Sequence, residues 1–131
     1  MNKLLPILLV VVLSGCGTDK LELIFEDNKY QLHLDLKTIK QNNQMIEFIL
    51  IQTQKEPTFI DGNILHSDTS KTTVDCNKYM MKKSTQAIYS GPRGTGTKLD
   101  ERDALYFVQL TKVDKDTPAY HVVDYICMRY N

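Results

Sequence analysis

A chain of 131 residues is long enough for one hydrophobic core and, once a short leader is set aside, too short for two. Hydrophobic side chains make up 42% of it and charged ones 24%, a balance that excludes both an intrinsically disordered chain and a multi-span membrane protein. Sixteen basic against 16 acidic side chains leave a formal net charge of +0, so there is no strong field to hold nucleic acid.

At the amino terminus Lys3 gives a short positive start, and residues 4–13 form an apolar run interrupted only by Pro6. A spanning helix needs about 20 apolar residues, so residues 1–15 read as a cleaved secretory leader and not as a transmembrane anchor. Leu13, Ser14, Gly15 and Cys16 follow the run and resemble the lipobox of bacterial lipoproteins, in which small residues suit the peptidase and the thiol, here Cys16, takes a diacylglycerol. An ordinary secretory leader cut near Gly15 is the competing reading. Buried acyl methylenes are worth about 0.8 kcal/mol each, and several chains together anchor a protein durably. Residues 16–20 then form a lipidated tether, with membrane lipid as the first expected partner. Gly17 stands where an Asp retains enteric lipoproteins in the inner membrane. The resemblance therefore implies the outer membrane and leaves the choice between the cell surface and the periplasmic face open.

With Cys16 assigned to lipid, Cys76 and Cys127 remain, in a compartment that oxidises thiols, and a disulfide is their natural pairing. His33, His66 and His121 are scattered, none at ligand spacing from either cysteine, so no metal site is expected.

Beyond the tether, Leu21, Leu23 and Phe25 alternate with Glu22 and Glu26 as in a strand, and Asp27 and Asn28 supply a turn. Residues 30–36 repeat the period of two, with Tyr30, Leu32, Leu34 and Leu36 on one face and Gln31, His33 and Asp35 on the other. After a polar connection at 41–44, residues 45–52 are apolar and β-branched enough for a central strand, and the set predicts an antiparallel meander. Pro57, Asp61, Gly62 and Asn63 predict a loop, and residues 71–76 a strand ending at Cys76. Another strand follows through 79–81 or 87–89. Three glycines and a proline make 91–96 a flexible loop, and 103–113 reads as a strand in which Leu105, Phe107 and Gln109 alternate with Tyr106 and Val108. The end of the chain is helical: Thr117 can cap, Pro118 suits the first turn, and Ala119, Val122, Val123, Ile126, Cys127 and Tyr130 recur at helical spacing. Cys127 lies in that apolar stripe, so the disulfide pins the helix to the sheet.

No catalytic constellation emerges. The 91–96 loop lacks the Lys-Ser/Thr ending and the strand-to-helix switch of a phosphate loop. His66, Ser67 and Asp68 are the residue types of a triad, but sequence neighbours splay apart, and they read as a polar loop. Asp100, Glu101 and Asp103 lack the regular oxygen spacing of a calcium loop. Lys78, Lys82 and Lys83, around Tyr79 and beside Cys76, are the densest basic group and the candidate contact for an acidic partner. Of the three tyrosines on the last helix, Tyr120, Tyr125 and Tyr130, one or two are expected at the surface. The expectation is a protein with no enzymatic activity, no cofactor and no metal.

The ordered pieces resemble the surface-adhesin protein E family of small bacterial lipoproteins over most of the mature chain. Residues 21–25 and 30–35, with Ile39 beyond, look like that family's opening hairpin, and 45–51 like its next strand. Ser70 through Val74, Asp75 and Cys76 resemble the strand ending in its first cysteine, Tyr125, Ile126 and Cys127 its closing helical cysteine, and 89–94 a segment between them. The resemblance implies an α+β domain at 21–131: a mostly antiparallel sheet of about five to six strands covered by a C-terminal helix, with one disulfide. It also implies an adhesin-like role, with a host matrix protein as partner. A periplasm-facing structural or accessory lipoprotein is the alternative, and it suits the short tether and the neutral charge. Departures from the family pattern are the absence of tryptophan and the brevity of the spacer, which holds the domain near the membrane.

Overall fold

Alternation along the chain is realised as a meander in which each strand pairs antiparallel with the next. The computed structural model describes residues 20–130, so the expected leader, the expected acylation at Cys16 and the expected tether up to Asp19 lie outside the described residues. Strands β1 (Leu21–Glu26), β2 (Tyr30–Asn42), β3 (Met45–Ile60), β4 (Asn63–Asp75), β5 (Met80–Tyr89) and β6 (Lys98–Asp103) follow in sequence order, and the short β7 (Thr111–Lys112) joins β5 beside β6. The helix α1 (Pro118–Tyr130) lies on one face.

That face is apolar because the register stacks the same parity of each strand. Leu34, Ile46, Phe48, Val74 and Met81 meet Val122, Val123 and Ile126 of the helix, all at 1% exposure or less. Burial of this order, roughly 1.5–3 kcal/mol for each large side chain, is what holds the two layers together. Thr117 caps the helix as expected, its Oγ1 accepting from the Tyr120 backbone N–H at 3.2 Å, with Pro118 in the first turn. At the other end of the helix the Cys76–Cys127 disulfide joins it to the end of β4, with Cα atoms 5.5 Å apart and a sequence separation of 51. The Tyr79 hydroxyl donates to Asp124 Oδ1 at 2.8 Å beside it.

Two stretches depart from the reading of the sequence. Pro57 and 61–63 do not open a long loop: β3 continues to Ile60 and turns through Asp61 and Gly62, at φ 50° and 77°, directly into β4. Left-handed Asp-Gly is the tight hairpin turn. Pro57 is tolerated because the β3–β4 register breaks between Thr53 and Thr58, where no ladder N–H is required. His66, Ser67 and Asp68 consequently sit inside β4, not in a loop. In the second stretch, the strand precedes the apolar run. Residues 98–103 form β6, and 104–110 run irregularly along the edge, tied by the Ala104 N–H to Ser84 O at 3.0 Å and the Lys83 N–H to Phe107 O at 2.7 Å. Phe107 takes φ 56°, which breaks any continuous ladder there.

Candidate binding surface at the far end of the sheet

The two ends of the sheet are built differently. At one, the disulfide, Tyr79 and the C-terminal half of α1 close the core. At the other, β1 and β2 turn back at 27–29 and β5 ends at Tyr89, whose partner is Ser67, while β3 and β4 continue past them as a free hairpin. From Ser67 to Asn63 this arm adds four residues, about 13 Å at 3.3 Å per residue. Its tip is apolar: Phe59 is 73%, Ile60 50% and Ile64 41% exposed. An exposed apolar strand end is an association site unless something blunts it. The chain enters the domain at Lys20, whose carbonyl accepts from the Leu36 N–H at 2.8 Å, and β1 then runs toward the arm. The arm therefore projects from the end of the sheet away from that entry.

Behind the arm, the turn at 91–96 folds onto the face of the sheet opposite the helix. Ser67 Oγ donates to Gly91 O at 2.6 Å and accepts from the Gly94 N–H at 2.8 Å, and Thr53 Oγ1 accepts from the Arg93 N–H at 3.0 Å. The expected flexible loop is thus an ordered turn strapped to β3 and β4. Gly96 is required in it, since at φ 79° a Cβ would stand 2.5 Å from Ser90 Oγ. Arg93 itself adopts φ 54° and lines two grooves beside the strap. Beneath this face His33 is buried with Nδ1 unbonded; burial, and then the charge of Arg93, holds its pKa below the ordinary value.

The basic group expected from the sequence is not brought together. Lys78 is in the exposed turn after Cys76, Lys82 pairs in register with Thr73, and Lys83, one residue on, turns to the helix face beside Thr72. Ser67 and Asp68 likewise point to opposite faces, Ser67 toward the 91–96 strap and Asp68 toward Lys83 and Gln86. Glu101 pairs with Lys98 on β6. Among the described residues no cluster of His, Cys, Asp or Glu is placed to hold a metal, and no helix is long and apolar enough to cross a membrane. The arm tip went unread in the sequence although its signal was present: Asp61-Gly62 flanked by Phe59, Ile60 and Ile64.

The profile described as Surface-adhesin protein E matches residues 21–128. Solved structures of Haemophilus influenzae protein E share the fold: one superposes with a TM-score of 0.64 at 16% identity, covering 83% of each chain. A second crystal form gives 0.64 at 15% identity over 82% of this chain and 93% of that one. The protein from a non-typeable strain gives 0.57 at 16% identity over 83% and 75%. No curated protein sequence matches this chain.

Proposed function

This chain belongs to the surface-adhesin protein E family, and on that premise we propose that it is a lipid-anchored, non-catalytic surface protein that binds a host macromolecule, a matrix protein suiting it best. The observation that carries the reading is the arm. Phe59, Ile60 and Ile64 stand exposed at the end of the sheet away from the point where the chain enters the domain. With acyl chains on Cys16, only four residues separate the membrane from Lys20, at most about 14 Å of extended chain. A domain held so close to the bilayer contacts a partner best through an element that points away. The buried core of a protein interface is apolar and enriched in aromatic side chains, and the hairpin presents Phe59 together with Ile60 and Ile64. Lys78, Lys82 and Lys83 do not form one contact patch in this reading.

The test has two arms. Protease is added to intact cells and to cells with a permeabilised outer membrane, and the domain is followed by antibody. Purified chains, unchanged or carrying Phe59→Ser and Ile60→Ser, are then tested for retention on immobilised matrix proteins. Loss of the domain on intact cells, with binding abolished by the double substitution, is the expected result. Protection until permeabilisation would instead favour the periplasm-facing accessory role, which the short tether and neutral charge also suit.

A further inference from the structure

Helix α1 does not cover the whole of its sheet face. Toward the arm, between the first turn of the helix and the irregular segment that follows β6, lies an open cleft of about 410 Å³, within the range of small-ligand sites. Its floor is the aliphatic Leu32, Leu50 and Met81, all buried, and Phe107 and Val113 form one wall. The position of Phe107 is unusual. It is an aromatic residue held at φ 56°, and its carbonyl is fixed by the Lys83 N–H at 2.7 Å. Left-handed backbone at a bulky residue persists only where the surroundings impose it, and it concentrates at ligand sites.

Lys83 enters this cleft from β5, half-buried. Among the described residues its ammonium makes no ion pair; the pairs formed are Lys55–Glu26, Lys71–Glu47, Lys98–Glu101 and Arg129–Glu22. Burial holds the Lys83 ammonium below the ordinary lysine value while Asp68, on the same face, attracts it without contact, and burial pushes the Asp68 carboxyl up toward its neutral form. The charged lining is completed by Lys112 and Asp114 at the rim, so the positive charges outnumber the negative. A partly desolvated ammonium above an aliphatic floor is complementary to one kind of molecule, an apolar body with an anionic head.

We propose that this cleft binds a small amphipathic carboxylate, its aliphatic body on Leu32, Leu50 and Met81 and its head on the ammonium of Lys83. Such a site is separate from the arm and does not depend on the adhesin-like reading. A cleft closed on three sides, by the sheet, the helix start and the Phe107 segment, suits a free small ligand better than a protein surface.

The test is calorimetric titration of the secreted chain carrying Cys16→Ser, with its disulfide intact, using decanoate and, as a probe of equal chain length and opposite charge, decyltrimethylammonium. Saturable one-to-one binding of decanoate, about tenfold or more tighter than the cation, is expected, because a charge-assisted contact is worth at least that factor. Lys83→Met keeps the apolar stem and is expected to erase the preference without loss of thermal stability. Phe107→Ala is expected to weaken both probes. Equal affinity for the two head charges, a decanoate affinity unchanged in Lys83→Met, or no saturable binding would each overturn the proposal.

Discussion

The closed end of the sheet and the arm end share β3 and β4 but nothing else in their chemistry. At the closed end Ile46, Val74, Val123 and Ile126 are covered, and the Cys76–Cys127 bridge and the Tyr79–Asp124 hydrogen bond tie the helix to the strands. At the arm end the same two strands leave the sheet and expose Phe59, Ile60 and Ile64. On the proposed reading, stability and recognition lie at opposite ends of one pair of strands, so that apolar surface at the tip is free to be used without loosening the core. Substitutions at the two ends should then have opposite signatures.

The largest effect is expected from the bridge. Replacing Cys76 and Cys127 by Ala releases a loop of 51 residues, and the chain-entropy estimate for that length is about 4 kcal/mol. Urea unfolding should show the loss in full, with arm-dependent binding surviving wherever the protein remains folded. Tyr79→Phe should cost about 1 kcal/mol, since it removes the 2.8 Å hydrogen bond to a part-buried Asp124. The same bond pushes the Tyr79 hydroxyl pKa up to about 12, so absorbance titration of wild type and Tyr79→Phe should differ by one late-ionising tyrosine.

The face beneath the 91–96 strap supplies a subtler contrast. Burial first, and the charge of Arg93 second, hold His33 below its ordinary value of 6.5. The unfolded chain therefore takes up this proton before the folded one does. The stability associated with neutral His33 is complete above about pH 6.5, declines as the pH falls toward the depressed folded value and levels off below it. Unfolding midpoints of the wild type should drop between pH 7.5 and 5, and His33→Phe, which cannot titrate, should flatten that slope. An equal slope in the variant would mean that the acid sensitivity lies elsewhere.

What the sequence made legible follows from range. The meander, the helix with its Thr117 cap and the pairing of Cys76 with Cys127 rest on short-period patterns and on compartment chemistry, and they stand as read. Tertiary context was needed for the rest. Ser67 and Asp68 read as loop because both are polar, yet each has a partner only once strands and strap are assembled: the 91–96 turn for Ser67, Lys83 and Gln86 for Asp68. The run around Leu105 and Phe107 carries strand composition but sits at an edge with two backbone attachments. Lys82 and Lys83 looked like one patch because they are adjacent, and the period of two sends them to opposite faces.

The smallest effect on stability is expected where the effect on function should be greatest. Phe59 and Ile60 bury little, at 73% and 50% exposure, so replacing both by Ser should move the unfolding free energy by no more than about 0.5 kcal/mol. Serine retains the backbone pairing of Phe59 with Ile64 and of Ile60 with Asn63, and the left-handed Asp61-Gly62 turn is untouched, so the arm keeps its shape. Gly62→Val is the complementary change: φ 77° strains a β-branched residue, disturbing the shape of the tip while keeping its apolar side chains. If recognition depends on those side chains presented in one geometry, both variants lose partner binding while the disulfide-closed end unfolds at an almost unchanged midpoint. A tip that serves instead as part of the core would reveal itself by a midpoint shift as large as that of the bridge.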